Sequence, residues 1–300
     1  MENQPSLAEH FLAQEISSQK LPTSDAHQDI SPITVLQWNI LAGHLSDSDA
    51  FPQVPAEQLK MEDRLPRIVS YLKHPSLQFI CLEEVDVSEE IKAALGPGWG
   101  WTFAKKSDQP DGTLLGYRTH PEFEWELVTA QAEVFPTAPG ATEPCDRPYV
   151  HGIFQHKTHK DVELHIFGTH MKAKKKNEAI RVRDISQLLP KLKSLISAGT
   201  YVIFMADFNA EPQDESVKLV LDHLHKTVLT DAHTTAKYHS ETDQTKRQID
   251  YIWHSSNLHT VAAWGESTHP LKPSRLPDDK MPSDHLPIYA SFEFAKSSLE

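Results

Sequence analysis

A succession of short runs rich in β-branched and aromatic residues, set between Ile33 and Phe294, constrains this chain more than any other feature. In order they read ITVLQWNIL, QFICLEEV, GWTFAKK, TLLGYR, FEWELVTAQAEV, YVHGIFQ, VELHIFGTH, YVIFMADFN, QIDYIWHS, HTVAAWG and PIYASFEF. About ten strands or more follow from that pattern. Helical periodicity is interleaved with them. It is clearest from Asn177 to Ala198, where Ile185, Leu188, Leu189, Leu192, Leu195 and Ile196 recur at helical spacing and Gly199 suits the stop. Pro190 removes one backbone bond there, so the segment is expected to bend or to divide into two shorter helices. Further helices are expected over LPRIVSYLKH, over SEEIKAAL with Ser88 as N-cap, and over ESVKLVLDHLH. Many strands with few but recurring helices favour two packed sheets over one doubly wound parallel sheet. The expectation is an α/β fold: a two-sheet β-sandwich flanked by helices.

Residues 1–31 are polar and hold only one short amphipathic stretch, SLAEHFLAQEI, so they read as a tail; residues 32–296 read as one domain. The hydrophobic fraction of 39% and charged fraction of 24% are those of a globular chain. No run of eighteen or more apolar residues is present and the N-terminus lacks the pattern of a secretion signal, so no membrane segment and a cytoplasmic location are expected. Cys81 and Cys145 are too few for a disulfide framework, and Cys81 in FICL suits a buried free thiol. The net charge of −13 argues against a general nucleic-acid coat, which needs many Lys and Arg against phosphates.

Polar side chains recur where these strands should end: Asn39 in QWNIL, Glu84 in CLEEVD, His170 in GTH, Asp207 and Asn209 in MADFNAEP, Asp250 in QIDYIW, and Asp284 with His285 in MPSDHLP. Taken singly, each has an ordinary explanation as a turn or cap residue. Taken together they suit a hard cation such as Mg²⁺, which prefers oxygen ligands and is held by one or two carboxylates plus substrate phosphate. Neutral amides and imidazoles can then position an anionic substrate without repelling it. Asp250 suits the part of a carboxylate that orients His285.

The ordered series WNIL, CLEEVD, GTHMKAK, ADFNAEP, IDYIW and PSDHLP resembles the endonuclease/exonuclease/phosphatase superfamily, with a DNase-like four-layer fold. FNAEP, IDYIWHSS and SRLPDDKMPSDHLP look more narrowly like its nocturnin and deadenylase branch. The resemblance implies a metal-dependent hydrolase with one or two Mg²⁺ ions, Mn²⁺ being a substitute. Glu84 would bind the metal with Asn39, Asp284 and Asp207. Asp207 would activate water, Asn209 and His170 would contact the scissile phosphate, and His285 on Asp250 would stabilise the pentavalent phosphorus. Two departures stand beside these positions: Glu83 where relatives commonly have Gln, and Ala206 where they commonly have Gly.

The implied substrates are RNA 3′ ends such as poly(A), or a small nucleotide such as NADP(H) or a 2′,5′-linked oligoadenylate. The basic run HMKAKKKNEAIRVR would supply phosphate contacts, above all Lys172 and Arg181. The acidity of the whole chain favours the small substrate. No protein partner is implied. Sphingomyelinase or inositol-phosphate phosphatase activity on the same fold, and a non-catalytic scaffold, are the alternatives; the first lacks apolar membrane-facing insertions here, and the second is expected only where the metal carboxylate or final His is lost.

Overall fold

The structure is a computed structural model and describes residues 29–137, 147–226, 235–240, 243–264 and 276–295. One six-stranded sheet runs β13 (Leu258–Trp264), β14 (Ile288–Phe294), β1 (Ile33–Asn39), β2 (Phe79–Glu83), β4 (Gly112–Arg118) and β3 (Trp99–Lys105). The second runs β5 (Trp125–Val134), β6 (Pro148–His156), β7 (Glu163–His170), β8 (Tyr201–Asp207), β12 (Asp250–His254) and β9 (His225–Lys226). A two-stranded ribbon joins β10 (Thr235–Ser240) to β11 (Asp243–Arg247). The pairs β1–β2 and β7–β8 are parallel, and every other pairing among these strands is antiparallel.

Period-two alternation divides each strand between two layers of core. In β1, Ile33 and Val35 pack between the sheets while Leu36 and Trp38 pack outward. In β8, Tyr201, Ile203 and Met205 face inward while Val202, Phe204 and Ala206 face outward. The outer face of the first sheet is covered by α2 (Met61–Leu72) and α3 (Ser88–Leu95), with the single turn α1 (Ala56–Leu59) leading in. That of the second is covered by α4 (Glu178–Ser197) and α5 (Glu215–Leu221). The two-sheet sandwich flanked by helices expected from the strand pattern, and the four-layer fold that the resemblance implies, are therefore the observed fold. Strands covered on both faces also explain why β1, β2 and β8 read as apolar runs more than as alternating ones.

Details differ from the sequence reading. α4 passes through Pro190 as one helix and ends where Thr200 N–H and Gly199 N–H close on the carbonyls of Leu195 and Ile196, with Gly199 at φ +76°. α2 starts at Met61, ahead of the expected Leu65, its first turn carrying Glu62 and Asp63 against the positive end of the helix dipole. Val87, not Ser88, caps α3, and Ser88 makes no capping bond. Ile30 is already packed in the inter-sheet core and Ser31 donates to Glu124, so the end of the expected tail belongs to the body; SLAEHFLAQEI and Cys145 lie outside the described residues. Among the described residues no helix is long and apolar enough to cross a membrane.

Arg64 on α2 is fully buried and fastens the segment that follows β1. Its guanidinium donates to the carbonyls of Leu59, Ile40, Leu41 and Pro282 and to Ser46 Oγ, over 2.7–3.1 Å. Burial draws its pKa down to about 10, with Asp86 and Asp284 pulling the other way, so it stays charged at neutral pH. Arg64→Met should cost about 3–5 kcal/mol, because it strands these acceptors without a donor. A urea denaturation series against the parent chain checks this, and a loss below about 1 kcal/mol would contradict it.

Candidate active site

The same pleat that buries apolar side chains between the sheets carries polar ones at one end of the sandwich. The inward row of β1 goes on from Val35 to Gln37 and Asn39, that of β2 from Cys81 to Glu83, and that of β8 from Met205 to Asp207. His170 ends β7 beside Asp207, and Asp250 opens β12 directly opposite it. Parallel pairing puts the ends of β1 and β2 together and the ends of β7 and β8 together, which gathers Asn39, Glu84, His170 and Asp207 on one edge. The loop before β14 adds Asp284 and His285, tied down where Ser283 Oγ donates to the Asn39 carbonyl at 2.7 Å and Trp38 Nε1 donates to the His285 carbonyl at 2.8 Å.

Each of the three central strands then leaves through a left-handed residue that is not glycine: Leu41 at φ +59°, Glu84 at +55° and Asn209 at +53°. Asn39 Oδ1 accepts from Leu41 N–H and Asp207 Oδ1 from Asn209 N–H, both at 3.0 Å, which closes two side-chain turns. Such residues cost about 1–3 kcal/mol each and persist where the surroundings over-determine them, commonly at functional sites.

Asn39 Nδ2 donates to Asp207 Oδ2 at 2.9 Å and Gln37 Nε2 to Asp250 Oδ1 at 3.2 Å, so two bonds cross from one sheet to the other. His285 Nδ1 lies 2.9 Å from Asp250 Oδ2, which leaves Nε2 facing Asp207 Oδ2 at 3.9 Å. Burial first, and the facing Asp250 second, push the Asp207 carboxyl up to about 7. Burial also raises Glu84, with Asp284 adding to it. Burial alone would lower His285, but Asp250, Asp207 and Asp284 outweigh it and hold the imidazole well above its usual value. His170 goes the other way: burial, then Lys106 and His285, keep it neutral, with Nε2 3.0 Å from Asn209 Nδ2 and 3.4 Å from Asp207 Oδ2.

Carboxylate oxygens, an amide and a hydrogen-bonded imidazole thus share one desolvated end, a donor set suited to a hard divalent cation. Asp207, Asp250 and His285 present atoms within 4.8 Å of one another. Glu84 hydrogen-bonds with the Asn39 side chain, and its Oε2 accepts from Ala42 N–H at 3.2 Å.

Beside His170 opens a cleft of about 650 Å³, lined by Lys106, Arg147, Lys172, Lys174 and Lys176 and on the acidic side by Asp108 and Asp111. Lys172 is there, as the basic run suggested. Arg181 is not: it is fully buried, its Nη1 donating to the carbonyls of Lys172 and Lys174 and its Nε to Glu178. Its part is to shape the lysine loop, which corrects its expected place as a substrate ligand. Sequence reading missed Lys106 and Arg147, which lie at the end of β3 and the start of β6. Counting the residues that terminate strands would have marked both. Gln37 was missed because a lone polar residue inside an apolar run carries no signal of its partner.

The pattern that defines the Endonuclease/Exonuclease/phosphatase family matches residues 36–285. Human Nocturnin is 28% identical over 295 residues, a match that spans 89% of this chain and 66% of Nocturnin's length. The structure of the human Nocturnin catalytic domain with bound sulfate superposes with a TM-score of 0.67 at 25% identity, covering 88% of this chain and 94% of that one. ANGEL2, a 2′,3′-cyclic phosphatase in complex with adenosine-2′,3′-vanadate, has the same fold at a TM-score of 0.73 and 17% identity, with 88% and 96% covered.

Behind the site, Glu83 is fully buried; its Oε2 accepts from Gln37 Nε2 at 2.9 Å and its Oε1 from Cys81 Sγ at 3.4 Å. The extra carboxyl therefore points into the core, and burial, then Asp207 and Asp250, hold its pKa well above the usual range. A raised folded-state pKa means stability that is present below about pH 4.5 and is lost as the pH rises toward the folded value. Glu83→Gln removes that loss and keeps the bond from Gln37. In EDTA, the variant should gain at least about 1 kcal/mol over the parent at pH 8, and less at pH 4.5, in denaturant titrations. Equal differences at both pH values would show that Glu83 does not titrate in this way.

Proposed function

The chain belongs to the endonuclease/exonuclease/phosphatase family, and from that premise we propose that it is a divalent-metal-dependent phosphoester hydrolase acting on a nucleotide phosphate. The observation that carries this reading is the convergence of Asn39, Glu84, Asp207, Asn209, His170, Asp250 and His285 on one end of the sandwich, beside a lysine-lined cleft. We assign the catalytic unit to residues 32–296, with Ile30 and Ser31 packed onto it.

Glu84 would hold the cation with Asn39, Asp284 and Asp207 around it, and Mg²⁺, or Mn²⁺ in its place, suits these oxygens. When bound, the ion supplies positive charge against the charge that develops on the phosphoryl group. The remaining chemistry belongs to the chain. Asp207, with a proton affinity near neutrality, takes the proton of the attacking water. His285, oriented by Asp250, directs Nε2–H at a phosphoryl oxygen. Asn209 and the neutral His170 set the phosphate without adding charge. Lys172 draws in a further phosphate of the substrate.

A cleft of about 650 Å³ is of the size that encloses a small ligand, which favours a compact nucleotide such as NADP(H), losing its 2′-phosphate, over a long RNA. The test incubates the purified chain and Mg²⁺ with NADP(H), 5′-labelled poly(A) and a 2′,5′-linked oligoadenylate, with EDTA as control. Inorganic phosphate from NADP(H) is the expected product; shortened RNA would assign a 3′-exonuclease in its place, and silence on all three would reject a nucleotide substrate. Glu84→Gln and His285→Ala should each lower kcat by about 100-fold or more while circular dichroism stays unchanged. Lys172→Ala should raise KM more than it lowers kcat. Steady-state kinetics on each variant decide; parental turnover by Glu84→Gln or His285→Ala would remove the assignment.

A further inference from the structure

On the outer face of the second sheet, away from the active site, four side chains form a line across three neighbouring strands. Glu133 on β5 reaches His151 Nδ1 at 3.3 Å; His151 Nε2 reaches His165 Nδ1 on β7 at 3.0 Å; His165 Nε2 reaches Glu163 Oε1 at 2.6 Å. His165 points to the opposite face of the sheet from His170, so the line is separate from the candidate catalytic groups. The two imidazoles are 6% and 4% exposed, and Phe167 stacks flat on His151 at 4.1 Å. The two carboxylates at the ends are partly open to solvent.

The three contacts of this line need three hydrogens, and two neutral rings bring only two; burial, then Lys191 and His165, draws the His151 imidazole down to about 4, so one contact sets a ring nitrogen lone pair against another acceptor. Put a cation between the two facing nitrogens and that conflict is removed. Each then keeps one N–H, donated to its own glutamate. That is the arrangement usual for imidazole ligands, whose second nitrogen donates to a carboxylate and so fixes the tautomer. Zn–N bonds of about 2.0–2.1 Å in tetrahedral geometry put two ring nitrogens about 3.3 Å apart, only a few tenths of an ångström beyond the observed 3.0 Å. Lys191, whose Nζ lies 2.9 Å from Glu133 Oε1, offsets one of the two negative charges, and Tyr149 Oη donates to the other oxygen of Glu133 at 2.5 Å. With neutral rings the cluster keeps one net negative charge to meet a divalent ion.

We propose that His151 and His165 form a second cation site on the outer face of the β5–β6–β7 sheet, taking an imidazole-seeking ion such as Zn²⁺ or Cu²⁺ with water in the remaining positions. Binding places the ion between two neutral rings and leaves each with its one N–H turned to its own glutamate. Nitrogen ligands suit these ions, while the oxygen-rich active site suits Mg²⁺, so the two sites differ in selectivity.

The test titrates Zn²⁺ into the full chain held in excess Mg²⁺, by calorimetry, and records the electron paramagnetic resonance of a Cu²⁺-loaded sample. A His285→Ala chain, which takes the imidazole from the Asp207, Asp250 and His285 group and leaves the remaining oxygen ligands to the excess Mg²⁺, isolates the site. Expected are one ion bound in that background and a copper signal split by two imidazole nitrogens, both lost in His151→Gln and His165→Gln. Glu163→Gln, at a partly exposed position that leaves the fold alone, should weaken binding about 10–100-fold. In the otherwise parental chain, Mg²⁺-supported hydrolysis should be the same for all three substitutions. No Zn²⁺ bound in the His285→Ala background, or parental affinity in Glu163→Gln, would overturn the site whether or not the histidine variants fold.

Discussion

Asp207 and Asp250 face each other across neighbouring antiparallel strands, both buried, and everything around them can be read as a means of holding two like charges where neither has water. Left alone, one would take a proton and the pair would be inert as an anion site. Asn39 and Gln37 reach in from the other sheet to bond one carboxylate each, and His285 supplies a cation to Asp250. Those bonds also join the two sheets at that end. The inter-sheet space is otherwise apolar and very close: a Cβ on Gly168 would come 2.3 Å from Cys81 Sγ. Such packing holds the sheets in register, and the polar end inherits that rigidity.

Much of this was legible in the sequence, for a physical reason. The strands that carry the site are buried on both faces, so they appear as apolar runs, and a polar residue at the end of such a run stands out. Asn39, Asp207 and Asp250 were visible in that way. Residues that work through a partner were not. Arg181 has the charge of a phosphate ligand, but its burial, and the carbonyls it serves, exist only after the lysine loop has folded round it. Gln37 and Glu83 depend on a contact between strands far apart in sequence. The ribbon β10–β11 lies in AKYHSETDQTKR, whose polar composition has no apolar face for a periodicity to reveal.

The left-handed residues Leu41, Glu84 and Asn209 show how the backbone serves the same end. Glycine would relieve the strain at each, but at Glu84 and Asn209 it would delete a side chain that the site uses. The hydrogen bonds closing the Asn39 and Asp207 turns come from the same groups that face the candidate metal and phosphate. Local conformation and chemistry are thus carried by one set of atoms, and a substitution there changes both.

The pairing of β1 with β14 has a consequence of another kind. Asn39 comes from the first strand of the sandwich and His285 from the loop before the last, so the constellation is assembled from the two ends of the domain. Contacts so distant in sequence form late, because a long loop must close before they repay its entropy. During synthesis the nascent chain would carry every candidate group up to Asp250 and still lack Asp284 and His285. Onset of turnover would then report completion of the whole domain, and no shorter intermediate would hydrolyse anything on the way.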